Sequence, residues 1–239
     1  MIVKDLYPLI SCICVTAHRP HFLLKAIIYW DAQNYPNREL VISCPENDLS
    51  TQNLVKEICS RADLDILLIT RKEDLTVGMA RNEAIARSKG EYICIWDDDD
   101  YHREVRLMYQ FTILRAKRQK CEASIITTIV LYDRINDRVC LSDSRNWEGT
   151  LLCKKDLVLQ HPYMDRNIAE GEGLIKYLTG TNYLHYFANY NLYAFVYHGD
   201  NTLSTEQFSD FFKDRDLIDQ PGREWLLSQI NRAADLKLS

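Results

Sequence analysis

Glycine is scarce in this chain, 8 residues of 239, and neither G-x-G-x-x-G nor G-x-x-x-x-G-K-[ST] occurs, which excludes a dinucleotide fingerprint and a P-loop. A phosphate ligand must therefore be held by something other than a glycine cradle. Positive charge is also short: 29 Lys and Arg against 34 Asp and Glu leave a formal charge of -5, which argues against a nucleic-acid partner. Long apolar runs are missing as well. The opening MIVKDLYPLISCICVTAHRP holds an apolar stretch of only about ten residues, too short to span a bilayer, and it lacks a clear cleavage site. A cytoplasmic protein without a transmembrane anchor is expected. The 8 cysteines are dispersed, mostly inside apolar runs, and Cys12 and Cys14 have no second pair at zinc-ligand spacing; buried, reduced thiols fit this pattern.

What is present is an ordinary globular composition, 46% hydrophobic and 26% charged. The first hundred residues alternate short apolar runs with longer 3.6-period stretches. LISCICVT (9–16), RELVIS (38–43), DILLIT (65–70) and EYICIW (91–96) read as strands. HFLLKAIIYWDAQ (21–33), opened by Pro20, the stretch around TQNLVKEICSRA, and VGMARNEAIARSKG (77–90) read as helices. Four βα repeats predict a parallel, Rossmann-like sheet with ligands at the carboxyl ends of its strands. The second half opens with a helix near REVRLMYQFTILRAKRQ. SIITTIVLYD and DRVCLSD follow as a hairpin turned by Asn136 and Asp137, then GTLLCKKDLVLQH and a helix at GEGLIKYLTG. NYLHYFA and NLYAFVYH are apolar and aromatic runs. Helices around EQFSDFFKDRD and GREWLLSQINRAADLKL finish the chain.

The sharpest feature is Asp97-Asp98-Asp99-Asp100, directly after the strand EYICIW. Adjacent carboxylates repel, and a hard divalent cation such as Mg²⁺ or Mn²⁺ makes such a cluster favourable. Asp97 and Asp99, at alternate positions, turn toward one side. An acidic run is usually a solvated turn, but the carboxyl end of a central strand is where this architecture puts its ligands. Three other segments belong to the same end. Thr16-Ala17-His18-Arg19-Pro20 joins the first strand to its helix, where backbone N–H groups meet anions. Arg81 stands on an otherwise apolar helix, and His198 ends an apolar strand.

In order and separation these segments resemble family 2 glycosyltransferases of the GT-A fold. SCICVTAHRPHFLLKAIIYWDAQNYPNRELVIS is similar to that family's opening strand, its T-x-N-R-P-like turn, helix, Q-x-Y-P-N-x-E turn and second strand. VGMARNEAIARSKGEYICIWDDDDY is similar to its G-x-x-x-A-R-N-x-G-I helix leading to the D-x-D strand end, and YHGDNTLS to its late His segment. The resemblance implies an α/β GT-A fold, a Rossmann-like mostly parallel sheet flanked by helices, with a β-hairpin region and C-terminal helices. It implies a single domain over 1–239, made of a nucleotide-sugar half (1–102), an acceptor and catalytic half (103–204) and a helical extension (205–239). The implied reaction moves a sugar, with inversion, from a nucleoside diphosphate donor, usually a UDP-sugar, to the hydroxyl of a glycan, lipid-linked or other acceptor, with Mn²⁺ or Mg²⁺. Asp99, with Asp97 and His198, is the implied metal set. Thr16, His18, Arg19, Arg81, Asp97 and Asp98 are implied at the donor.

The chain departs from the family pattern twice. After the second strand the family has D-D-G-S, whereas Ser43-Cys44-Pro45-Glu46-Asn47-Asp48 stands here. Glu46 and Asp48 are the substitutes expected at the nucleotide, and the identity of its base is left open. The E-D pair that supplies the base carboxylate is replaced by Ala169-Glu170-Gly171-Glu172-Gly173. Glu172 is expected as the base with Glu170 as second candidate. An alignment that puts Gly173 there leaves a weakly active or inactive nucleotide-sugar-binding protein as the alternative. The amphipathic Trp225–Ile230 stretch is expected to pack on the core or against a second copy in a homodimer; peripheral contact with a membrane is the other reading.

Overall fold

The computed structural model describes residues 6–116, 121–202, 205–213, 215 and 217–232. Its first half is β1 (Ile10–Val15), α1 (Pro20–Asp31), β2 (Arg38–Pro45), α2 (Leu49–Arg61), β3 (Ile66–Arg71), α3 (Val77–Arg87) and β4 (Tyr92–Ile95). The short β5 (Tyr101–His102), α4 (Arg106–Ala116), β6 (Ala123–Ile126), β7 (Val130–Asp133) and β8 (Arg138–Leu141) follow. Then come β9 (Leu152–Lys154), α5 (Lys155–Gln160), α6 (Glu172–Gly180), β10 (Leu184–Phe187), β11 (Tyr193–Tyr197), α7 (Thr205–Phe212) and α8 (Gln220–Arg232). The expected ends of two helices, 117–119 and 233–238, lie outside the described residues.

A seven-stranded sheet runs β10-β6-β9-β4-β1-β2-β3, and a four-stranded sheet runs β5-β11-β7-β8. In the large sheet β1 pairs in parallel with β2 and β4, and β9 alone is inserted antiparallel, between β4 and β6. The four leading strands are apolar on both faces because helices cover both, as parallel sheets require. Cys12, Cys14, Leu40, Ile42 and Cys94 face one core layer with Leu23 and Ile27 of α1, Phe111 of α4 and Leu226 of α8. Their neighbours Ile13, Val41, Ile69, Ile93 and Ile95 face the other layer with Ile85 of α3, Leu157 of α5 and Leu174 of α6. The period of two along each strand decides which layer each side chain joins.

Most expected elements are found, and the hairpin turn at Asn136 and Asp137 joins β7 to β8, with Asp137 at φ 52°. Asp133 stabilises that turn by accepting from the backbone N–H groups of Ile135 and Asn136, each at 3.1 Å. The stretch SIITTIVLYD is not one strand. It breaks at Thr127–Thr128 so that β6 joins the large sheet and β7 the small one. Both pieces are buried, so the apolar run continues through a change of sheet that periodicity does not register. At the C-terminus, Leu226 and Ile230 of α8 bury against the first core layer, and the Ile230 carbonyl accepts from the Tyr29 hydroxyl at 3.0 Å. Among the described residues no helix is long and apolar enough to cross a membrane.

Candidate active site

The acidic run leaves β4 at the carboxyl end of the parallel strands, and its four carboxylates take four separate sets of partners. Asp97 accepts from Arg81 Nη2 at 2.9 Å. Asp98, almost fully buried, accepts from Thr16 Oγ1 at 2.5 Å and Arg19 Nη2 at 2.6 Å. Asp99 Oδ2 accepts from Arg19 Nη1 at 2.9 Å and lies 3.2 Å from His198 Nε2. Asp100 turns inward, accepting from the Val196 N–H at 2.9 Å and from the Tyr193 hydroxyl, and so fixes β11 beside β5. Burial pushes the Asp98 carboxyl up to about 7, helped by neighbouring Asp99, and drives Asp100 well above the usual range. Burial also works against ionised Asp99, but the His198 hydrogen bond and the Arg19 charge outweigh it and hold that carboxyl low.

Arg81 is the other organising group. On α3, whose Thr76 cap accepts from Met79 N–H, its guanidinium is 7% exposed and meets three carboxylates. Nη1 donates to both oxygens of Glu148 at 3.0 Å and to Glu170 at 2.5 Å, while Nη2 serves Asp97. Burial disfavours the charged guanidinium, yet Glu148 and Asp97 raise its pKa, so one fixed cation holds three acids together. The rest of the G-M-A-R-N segment fastens the chain that carries Glu170. Gly78 donates its N–H to Arg166 O at 3.1 Å and lies so near that an added Cβ would stand 1.9 Å from Met164 O. Asn82 both donates to Tyr163 O and accepts from Tyr163 N–H, each at 2.9 Å. This close approach, rather than a turn, is what requires glycine at 78.

Behind the acids, fully buried Arg106 has no carboxylate among its hydrogen-bond partners in the described residues. It donates to Ile95 O and Gly149 O, each at 3.1 Å, to Gln110 Oε1 at 3.0 Å, and contacts His102 Nδ1. It also lies 5.1 Å from the Tyr193 ring and 5.5 Å from that of Trp96. Burial lowers the His102 pKa, so that ring is neutral and accepts from Arg106 while its Nε2 contacts Asp97 O. Arg106 thereby ties the end of β4 to the 148–150 turn.

A cavity of about 260 Å³ opens over this arrangement. Of the residues expected from the sequence, Arg19, Arg81, Asp97, Asp98, Asp99 and Glu170 line it. Thr16 and His198 sit one layer back, holding Asp98 and Asp99. Asp48 caps α2 through the Thr51 N–H and accepts from the His18 N–H at 2.6 Å, fixing His18 at φ 55°. Glu46 is exposed past the end of β2. Glu172 does not join the cluster: its side chain is 71% exposed and pairs with Arg166 at 2.8 Å. Sequence reasoning missed Glu148 and Arg106. Glu148 stands in WEGT before a short strand, and Arg106 has the local pattern of a surface helix residue, so neither carries a signal in its immediate neighbours.

No cluster of three or more His, Cys, Asp or Glu positioned around a metal occurs among the described residues. Asp99 and His198 nonetheless fit two positions of a divalent-cation shell. Mg²⁺ commonly takes one or two protein carboxylates and completes its shell with substrate phosphates and water. The two side chains therefore suit a cation that draws its remaining ligands from outside the chain, with Arg19 also bonded to Asp99.

The sheet order, the acids at the end of β4 and the cavity between the two sheets define the GT-A class. Across 94% of this chain and 71% of the other, the fold matches the crystal structure of S. aureus TarS residues 1–349, with a TM-score of 0.65 and 14% identity. A mannosyltransferase from Pyrobaculum calidifontis, in complex with GDP-Man and Mn²⁺, matches with a TM-score of 0.62 and 13% identity over 96% of this chain and 74% of that one. In sequence, residues 11–123 match Glycosyl transferase family 2. An uncharacterized glycosyltransferase of Methanocaldococcus jannaschii is 28% identical over 114 residues, 46% of this chain and 39% of that protein's length. Residues 11–123 are thus similar to family 2 glycosyltransferases, and the fold is that of the GT-A class.

Proposed function

We propose that this chain transfers a sugar from a nucleoside diphosphate sugar to an acceptor hydroxyl, inverting the anomeric carbon, with Mn²⁺ or Mg²⁺ held at Asp99 and His198. The observation that carries this reading is the cavity at the end of β4, where Asp97 to Asp99 stand on one side and the carboxylates gathered by Arg81 on the other. The relatives support the donor class: TarS is described with UDP-GlcNAc and the Pyrobaculum enzyme with GDP-Man and Mn²⁺. Uridine and guanosine donors both remain in play, since Ser43–Asp48 lacks the D-D-G-S segment.

Each residue then has a task. A cation bound at Asp99 and His198 supplies Lewis-acid stabilisation of charge on the leaving diphosphate. Arg19, already bonded to Asp98 and Asp99, presents a planar guanidinium suited to phosphate oxygens. Thr16 and Asp48 hold the first turn in shape, Thr16 through Asp98 and Asp48 through the His18 N–H. Asp97, pinned by Arg81, faces the ribose and sugar. A single inverting displacement requires one further carboxylate to take the acceptor proton. Glu172 lines the groove along α6 rather than the cavity of the acidic run, whereas the carboxylates gathered by Arg81 border that cavity, so we assign the base to the Arg81 cluster. The acceptor is a glycan, a lipid-linked sugar or another hydroxyl compound.

The test is Mn²⁺-dependent release of UDP from UDP-GlcNAc and of GDP from GDP-mannose. Asp99→Asn is expected to lower turnover by about 10²-fold or more, the effect of losing several kcal/mol of transition-state stabilisation. Glu172→Gln is expected to cost far less than Asp99→Asn, since its carboxylate lies outside the cavity of the acidic run. Full activity of Asp99→Asn, or an equal loss in Glu172→Gln, would show the roles to be misassigned. Absence of both binding and turnover with either donor would overturn the reading itself.

A further inference from the structure

Two glycines flank Glu148, and each leaves space that a side chain would otherwise fill. A Cβ on Gly171 would stand 2.6 Å from Glu148 Cγ and 2.9 Å from Cδ, so the Glu148 side chain occupies the volume into which a residue 171 side chain would grow. A Cβ on Gly149 would stand 2.7 Å from Asp97 Oδ2 and 2.8 Å from the Tyr193 hydroxyl, so the turn carrying Glu148 presses directly on the acidic run. Glu148 thus projects from the entrance of β9 into the place vacated at the start of α6.

That position joins two cavities. On one side is the cleft of the acidic run; on the other is an open groove of about 800 Å³, walled by Ile175, Lys176 and Thr179 of α6 and by Asn146. Glu170 borders both as well, but its carboxylate is 9% exposed and locked to Arg81 at 2.5 Å, whereas that of Glu148 is 23% exposed. Burial raises the Glu170 carboxyl, against the lowering by the Arg81 charge, and that oxygen is already taken by the guanidinium. The groove combines the apolar side chain of Ile175 with the amide of Asn146, the hydroxyl of Thr179 and the charges of Glu172 and Lys176, a mixture that suits a sugar-like polyol.

We propose that Glu148 takes the proton from the acceptor hydroxyl, and that the groove along α6 is the acceptor subsite. This rests on the transferase reading above. The acceptor oxygen's lone pair forms the bond to the anomeric carbon while its proton passes to the Glu148 carboxylate. The bond from that carbon to the β-phosphate oxygen breaks, and its electron pair leaves with the nucleoside diphosphate. Arg81 holds the Glu148 carboxylate in place through both of its oxygens, each at 3.0 Å.

The probes are UDP-GlcNAc and GDP-mannose with Mn²⁺, the nucleotide released being measured with water and with a panel of phenyl glycosides as acceptors. Glu148→Gln is expected to lose at least about 10²-fold in turnover, the usual contribution of a positioned base, while thermal stabilisation by the donor is unchanged. Glu170→Gln is expected to fall by less than about tenfold. Glu148→Ala is expected to regain tenfold or more when Gly171→Asp is added, because Gly171 has φ -82° and ψ -4°, which an aspartate adopts without strain, and the new carboxylate enters the vacated volume. Turnover of Glu148→Gln within threefold of wild type overturns the assignment, as does an equal loss in Glu170→Gln or a double variant no better than Glu148→Ala. A wild type that binds donor yet never turns it over also overturns it. A wild type that neither binds nor turns over either donor overturns instead the transferase reading on which it rests.

Discussion

Substituting Gly78 by alanine probes the contact through which α3 positions the 164–170 segment. The added methyl would stand 1.9 Å from the Met164 carbonyl oxygen, and ordinary contact begins at 3.4 Å. The 164–170 segment must therefore retreat by about 1.5 Å, a displacement set by carbon–oxygen van der Waals distance. Backbone on both sides makes this a true overpacking, which costs about 1–3 kcal/mol. Alanine's better helix propensity returns up to about 1 kcal/mol, so a net loss remains. For a chain of this size each kcal/mol lowers the melting temperature by about 2–4 °C. The same shift carries Glu170 and Gly171, and with them the space that Glu148 fills. A 1 Å misplacement near reacting groups lowers rate by about 10²-fold. Calorimetry and nucleotide-release assays should thus show a lower melting temperature together with a larger loss of turnover than of donor binding. Gly173→Ala is the matched control: its nearest neighbour is Met164 Cε at 3.6 Å, and it should be neutral or stabilising. A Gly78→Ala protein as stable and active as wild type would refute the idea that the loop is pressed against α3.

Two further outcomes follow from the buried charges. Arg81→Met leaves three carboxylates without their shared cation and should cost about 3–5 kcal/mol in urea denaturation, the usual penalty for orphaned buried charge; a loss under about 1 kcal/mol would contradict the shared role. Asp98 has a folded-state pKa raised by burial to about 7, so its ionisation penalises the folded state as pH rises from the unfolded carboxylate range toward 7. His102, buried neutral, works in the opposite direction below its ordinary range, so the comparison must be with a variant. The melting temperature of Asp98→Asn relative to wild type should therefore increase between about pH 4 and pH 7 in metal-free buffer, the window between the unfolded and folded pKa values, and level off above it. A constant or shrinking difference would refute that assignment.

Local signals made the first half of the chain readable. Pro20 opening α1, the apolar runs of β1 to β4 and the acids past β4 are each encoded within a few neighbouring residues, and their αβ alternation leaves little choice of architecture. The Arg81 cluster was only half legible. Arg81 stood out as a charge on an apolar helix, but its partners lie 16, 67 and 89 positions away, on elements whose approach depends on tertiary packing. The same reason separates Glu170 from Glu172. Both precede or open α6, yet the first is drawn to Arg81 in the cavity of the acidic run and the second to Arg166 at the surface. Glu148 was invisible because its neighbours are defined by what two glycines omit.

The antiparallel insertion of β9 has a consequence for motion. Cys94 pairs with Leu152 and Cys153 with Ala123, so one continuous hydrogen-bonded ladder runs from the donor strands through β9 into β6. A hinge between the two halves would have to tear that ladder. Substrate entry and product exit are therefore left to the loops above it. Because β4 ends and β9 begins at the same edge, the spacing between the acids of the run and Glu148 is held like the teeth of a gear. A single-residue deletion between Glu148 and Leu152 would put donor and acceptor chemistry out of step while both remained folded.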